Sequence, residues 1–116
     1  MEMPKELLEQ ALEIVEIARN SGGKVKKGVN EVTKMVERGL AKLVILAGDV
    51  NPPEIVMHLD PLCEEKDIPC FKGSTKDEIG NACGIEVPCT AVALIEVGEA
   101  KKRFKELETR VKSLKK

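Results

Sequence analysis

KLVILAGD, residues 42–49, carries the information from which the architecture of this chain can be read. Its apolar part is uninterrupted and includes the β-branched Val44 and Ile45, and it closes on the turn-prone pair Gly48-Asp49. Strict alternation would mean a strand with one wet face, whereas a continuous run means a strand covered on both. Helices must therefore lie above and below it. Residues 91–97, AVALIEV, read as a second interior strand of the same kind.

The flanking segments supply those helices. Leu7, Leu8, Ala11, Ile14, Val15 and Ala18 recur at helical spacing between Pro4 and Arg19, with Pro4 acceptable in a first turn and NSGG (20–23) as the stop. KVK (24–26) reads as a short extended segment. After the central strand, Asn51-Pro52-Pro53 opens another helix, whose buried face is Ile55, Leu59, Leu62 and Cys63. Pro61 within that pattern predicts a kink, or a second short helix capped by Asp60. Asp67-Ile68-Pro69 begins a weak strand through Cys70 and Phe71, and the Lys72-Gly73 continuation gives it an edge character. Thr75 and Glu78 have the spacing of a capping box, so a short helix should run to Ala82 or Cys83 and end at Gly84. The following IEVP (85–88) is a loop with two apolar side chains and little reason to bury them. Phe104, Leu107, Val111 and Leu114 mark a C-terminal helix. This alternation places the chain in the α/β class, as a single-domain three-layer α/β/α sandwich around a small central mixed sheet of about four strands.

Composition narrows the function. The 116 residues suit one domain, numbered 1–116, and 42% apolar with 34% charged side chains describes an ordered globular chain. No apolar run approaches the roughly 20 residues of a membrane helix. The charged, amphipathic start MEMPKELLEQ is unlike a secretory signal, so a cytoplasmic protein with no membrane partner is expected. Nineteen basic side chains face 20 acidic ones, which argues against general attraction to nucleic acid; any such contact must be local and directed by shape. Trp and Tyr are absent, and Phe71 and Phe104 are the only aromatics, so an aromatic stacking platform is excluded. Cys63, Cys70, Cys83 and Cys89 form no C-x-x-C knuckle, and His58 is the only histidine. The cysteines are read as small core hydrophobes, and no metal or cofactor is expected. Nucleophile-elbow, phosphate-loop and zinc-protease signatures are missing, so no catalytic residue is assigned.

The candidate site is KKGVNEVTKMVERG, residues 26–39. As a helix begun through Gly28, it places Lys27, Asn30, Glu31, Lys34 and Arg38 on one polar stripe and Val29, Val32 and Val36 on the opposite one. Two lysines, a glycine that permits close approach, and a side-chain amide meet where backbone N–H groups lack partners. That combination suits a phosphate or a base edge, and it also suits a solvated helix face.

KKGVNEVTK followed by ERG, then LVILAGDV, EIVMHLDPLCEEKDIPC, STKDEIGNACG and IEVP, resembles the L7Ae family of kink-turn RNA-binding proteins. The similarity runs in order from about Lys24 to Val97, through several separated motifs. It implies the sandwich fold already inferred, no enzymatic activity, and RNA binding in ribosomal or small-guide-RNA particles (box C/D, H/ACA or ribonuclease P). The implied partners are kink-turn RNA and other ribonucleoprotein proteins, with the free protein a monomer. By the same resemblance Asn30, Glu31 and Lys34 meet base edges at tandem G·A pairs, while Gly28 and Lys27 meet the backbone. The IEVP loop, Ile85, Glu86 and Val87, would shield an extruded nucleotide, with Ile55 completing the pocket and Lys76 reaching phosphate or the flipped base. Asn51 stands where many members carry an acidic residue, a departure at the position that would hydrogen-bond the extruded nucleotide. Val87 stands where some eukaryotic relatives carry arginine, which makes the chain closer to the archaeal type. Two other readings stay open: an adaptor meeting a polypeptide through the same helix and loop, and a small thiol enzyme using Cys83 or Cys89.

Overall fold

In a computed structural model, which describes residues 5–49 and 57–114, the 42–49 run becomes strand β2, Leu43–Ala47, buried at every position. Strand β4, Ala91–Glu96, is buried over its first four residues and lies antiparallel beside β2, with Ile45 opposite Val92. β1, Lys24–Lys27, pairs antiparallel with the other side of β4, and β3, Cys70–Ser74, pairs parallel with β2. The sheet is therefore mixed, in the order β1-β4-β2-β3. Its two apolar strands are central, and its lysine-bearing strands are the edges, where charge discourages pairing with another chain.

Helix α1, Lys5–Asn20, packs against all four strands, and α4, Lys76–Ala82, lies beside it on β2 and β4. Helix α2, Val29–Glu37, packs on β1 and β4, and α3, Leu59–Glu65, meets both α2 and β3. A 3₁₀ turn, Gly98–Ala100, leads into α5, Lys101–Leu114, which covers α1. Helices α1 and α4 make one layer and α2 with α3 the other, and this is why β2 has no wet face. The core joins Ile14 and Val15 of α1, Val32 and Val36 of α2, Leu59, Phe71 and Ile79 to β2 and β4. Among the described residues no helix is long and apolar enough to cross a membrane.

Several expectations meet their physical counterparts. Thr75 and Glu78 make the full capping box, with Glu78 N–H donating to Thr75 Oγ1 at 3.1 Å. β3 is an edge strand, and it runs through Lys72 and Gly73 to Ser74 with a register shift opposite Leu46 and Ala47. The helix around Pro61 differs from its forecast: the cap is His58, not Asp60, so Pro61 falls in the first turn, where no hydrogen bond is lost. Asp60 instead accepts from Lys72 Nζ at 2.5 Å, a contact that raises the lysine above its ordinary range. The helix forecast to begin at Asn51-Pro52-Pro53 falls partly outside the described residues. All four cysteines are buried or half-buried and none is in a disulfide.

Candidate nucleic-acid interface

Antiparallel pairing sends β4 in where β1 and β2 come out, so three strand ends gather at one edge of the sheet. Lys27 sits opposite Val92, and the Gly28 N–H donates to Ala91 O at 3.0 Å. The Ala47 N–H donates to Thr90 O at 2.9 Å, and Gly48 N–H to Ser74 O at 2.8 Å, which draws the ends of β2, β3 and β4 together. Helix α4 is tied to the same edge. Its first amide, Lys76 N–H, donates to Asp49 Oδ1 at 2.9 Å, and Lys76 O accepts from Cys89 N–H at 3.1 Å. Ligands of open α/β sheets are commonly held just beyond the carboxyl ends of strands.

Gly28 is what permits the turn from β1 into α2. Its φ of 94° with ψ of 145° is a conformation almost confined to glycine, and nothing lies within 4 Å of where a Cβ would stand. The residue is thus required by backbone conformation and not by crowding, and it leaves open space before the helix. It caps α2 without a side chain, so among the described residues the amides of the first turn have no side-chain cap. Those amides carry the positive end of the helix dipole.

In front of them lies an open depression of about 760 Å³ lined by Lys27, Gly28, Val29, Asn30, Glu31, His58 and Thr90. Asn30 and Lys34 are exposed and Glu31 is half-buried, so the polar stripe faces solvent. Lys34 Nζ stands 3.7 Å from Glu31 Oε1, a loose pair between exposed groups that a stronger partner can displace. The carboxylate can accept from amino groups, the amide can do both, and the lysines and backbone amides donate.

The 85–88 loop enters the same edge from the other side. Cys83 N–H donates to Ile79 O, and Gly84, at φ 75°, stops α4 with its N–H on Asn81 O at 3.0 Å. Arg19 of α1 lies over Gly84 and donates from Nε to Ala82 O at 3.3 Å. The loop backbone then rests on α4 at Gly80, where any side chain would meet Val87 O. Val87 is 63% exposed, Glu86 is exposed, and Ile85 is half-buried against the core. The two aliphatics were both expected to be exposed. Only Val87 is, because the Ile85 N–H donates to Gly80 O and turns its side chain toward the core. The loop leads directly through Cys89 and Thr90 to the partner of Gly28, so the polar helix start and the apolar lip are joined by one short run of chain. Lys76, half-buried at the start of α4, stands on the same edge. Asn51 and Ile55 lie outside the described residues.

Sequence reasoning missed His58 and Thr90. His58 Nε2 is 2.9 Å from Thr33 Oγ1, whose own proton is directed to Val29 O at 2.7 Å. The hydroxyl has one proton, so the imidazole donates to it, which leaves Nδ1 as the acceptor of the neutral ring. His58 was invisible because its partner is on another helix, 25 positions away. The cysteines carry a further surprise: they stand as two thiol pairs, Cys63 with Cys70 and Cys83 with Cys89. Cys70 is raised by the hydrogen bond with Cys63 and by burial. Cys89 is lowered by the hydrogen bond from Cys83, then by the Ala91 and Gly28 amides and by Lys27, against its burial. Among the described residues no group of three or more histidine, cysteine or acidic side chains could hold a metal ion.

Comparison with known proteins shows the family and the fold. Residues 9–104 match the model of the ribosomal protein L7Ae/L30e/S12e/Gadd45 family. The structure superposes on that of a Giardia lamblia 15.5kD RNA binding protein with a TM-score of 0.87 and 33% identity, over 97% of this chain and 93% of that one.

Proposed function

The chain belongs to the ribosomal protein L7Ae/L30e/S12e/Gadd45 family, and from that premise we propose that it recognises a kink-turn, a sharply bent RNA with tandem G·A pairs and a bulge. It is an RNA-binding protein and not an enzyme. The observation that carries the finer reading is the juxtaposition at one sheet edge of the uncapped α2 start, bearing exposed Asn30 and Lys34 with half-buried Glu31, and the loop presenting Val87.

The chemistry divides the work. Lys27 and the first-turn amides neutralise phosphate, which supplies affinity without sequence information. Asn30, Glu31 and Lys34 read base edges; Glu31 in particular is repelled by phosphate unless aimed at amino donors, so it selects. Val87, with the half-buried Ile85, covers an extruded nucleotide, and Lys76 reaches it or its phosphate. Valine at 87 leaves that lip uncharged, the archaeal pattern. A kink-turn exchanges between extended and bent forms, and a protein that contacts only the bent form shifts the population by its differential affinity. The bent RNA, ribosomal or guide, then offers a fixed platform on which further ribonucleoprotein proteins assemble.

Electrophoretic binding to a kink-turn RNA, against the same RNA with its G·A pairs replaced, tests this. Strong preference for the first is the expected result. Equal affinity for both would reduce the site to a phosphate cradle, and binding to neither would favour a polypeptide partner.

A further inference from the structure

His58 lines the depression at the start of α2, yet the reading above gives it no work. It is the N-cap position of α3, but its imidazole makes no capping bond and the residue is exposed. Its Nε2 lies 2.9 Å from Thr33 Oγ1, so the ring is held from α3 against the reading helix. We propose that His58 accepts a hydrogen bond at Nδ1 from a ribose 2′-hydroxyl seated in the depression, and that through this contact the site distinguishes RNA from DNA. Such a contact deepens the kink-turn reading and rests on it.

The protein itself fixes the tautomer. Thr33 Oγ1 gives its one proton to Val29 O at 2.7 Å, so its bond with His58 forms only when Nε2 carries the hydrogen. A neutral ring has a single N–H, and Nδ1 is then purely an acceptor. Among the described residues Nδ1 has no hydrogen-bond partner. Thr33 is thus a positioning residue, because it sets both the orientation of the ring and the nitrogen left to receive a proton.

The side chains around the depression divide by what they can do for a nucleic-acid backbone. Lys27 and the first-turn amides donate, which suits phosphate oxygens, since these only accept. Asn30 and Thr90 donate as well as accept, so neither would select a hydroxyl over an oxygen. Only Glu31 and His58 accept without also donating. A sugar-phosphate backbone contains one donor, the ribose 2′-hydroxyl, and that hydroxyl is always close to a phosphate. The Glu31 carboxylate is repelled there, whereas an uncharged imidazole nitrogen is not. Glu31 therefore suits the amino groups of bases, and His58 the sugar. His58 comes from α3 and Lys27 from β1, so sugar and phosphate are held from separate elements on the border of one depression.

A deoxyribose in the same place would leave Nδ1 facing a C–H group, with the nitrogen stripped of water and unanswered. A 2′-fluoro sugar keeps the size and pucker of ribose but cannot donate, so it separates the hydrogen bond from the shape of the sugar.

The test is a double-mutant cycle between protein and RNA, run with the full chain at mildly alkaline pH and fixed salt on a kink-turn RNA carrying 2′-deoxy or 2′-fluoro sugar at one nucleotide at a time. The expected result is a nucleotide at which both substitutions weaken wild-type binding on the order of threefold to tenfold, the worth of one neutral hydrogen bond, yet cost His58→Gln nothing further. Glutamine keeps an N–H for Thr33 and has carbon where Nδ1 stood. His58→Phe, which lacks both nitrogens, should abolish the same sugar dependence, and Thr33→Val should reduce it by releasing the ring. The cycle cancels any effect of the modified sugar on the RNA itself, because that effect is common to every protein tested. If each substitution costs the wild type and both His58 variants equally, the assignment is overturned, and any affinity those variants have lost makes His58 only a brace for α2. Failure of the wild type to bind the unmodified RNA overturns the kink-turn reading and the sugar contact together, and it is seen before any modified sugar is tried.

Discussion

The start of α2 and the length of α5 are both rich in lysine and arginine, but the fold treats them differently. On α5, Arg103 is paired with Glu13 of α1, and Arg110 Nη1 lies 3.8 Å from Glu6. Those cations face acids from a neighbouring helix, and the groove between the two helices is lined by Gln10, Glu13, Lys102, Arg103, Glu106 and Arg110. At the start of α2, Lys27 has no ion-pair partner among the described residues, and Lys34 has only the loose contact with Glu31. A count of basic residues would rank α5 first. Whether a basic helix is available to a partner depends on whether its own fold has already supplied the counter-charge.

The difference can be tested in descending order of effect. Asn30→Ala and Glu31→Ala should each cost about 1–3 kcal/mol in kink-turn affinity and relax sequence choice, read by titration against RNAs with altered G·A pairs. Unchanged affinity in both would remove α2 as the reading surface. Gly28→Val forces a β-branched side chain into a glycine conformation, so thermal denaturation should show a loss of about 2 kcal/mol, with RNA affinity falling as the helix start shifts. Val87→Asp, at an exposed position, should leave the melting temperature alone but weaken RNA binding by about 1 kcal/mol; equal loss in both would mean that Val87 is structural. Lys27→Ala should weaken all RNAs alike and reduce the salt slope by about one. Arg103→Ala, made in the α5 face, should change RNA affinity by less than about 0.5 kcal/mol, with the small effect appearing in stability. A steep loss there would make α5 a second RNA surface.

Much of this was legible because it depends on neighbours along the chain. The helix face Leu7, Leu8, Ala11, Ile14 and Val15, the Thr75–Glu78 box and the Gly84 stop are all settled within a few residues of where they are read. The polar stripe on α2 is of the same kind. Asp60 and Ile85 were misread, and His58 was missed, for one shared reason. Asp60 answers Lys72 across a gap of 12 positions, Ile85 turns inward where its loop meets α4, and His58 acts on Thr33.

By itself the chain of residues determined the alternation of helix and strand, the doubly covered β2 and the chemistry available at Asn30, Glu31 and Lys34, since periodicity and side-chain type are local properties. Only the folded molecule decided that the glycine turn, the Val87 lip and the Cys83–Cys89 pair share one edge of the sheet. That follows from the antiparallel pairing of β1 with β4, which sets residues 27 and 92 face to face across 65 positions of sequence through backbone hydrogen bonds that no side chain announces.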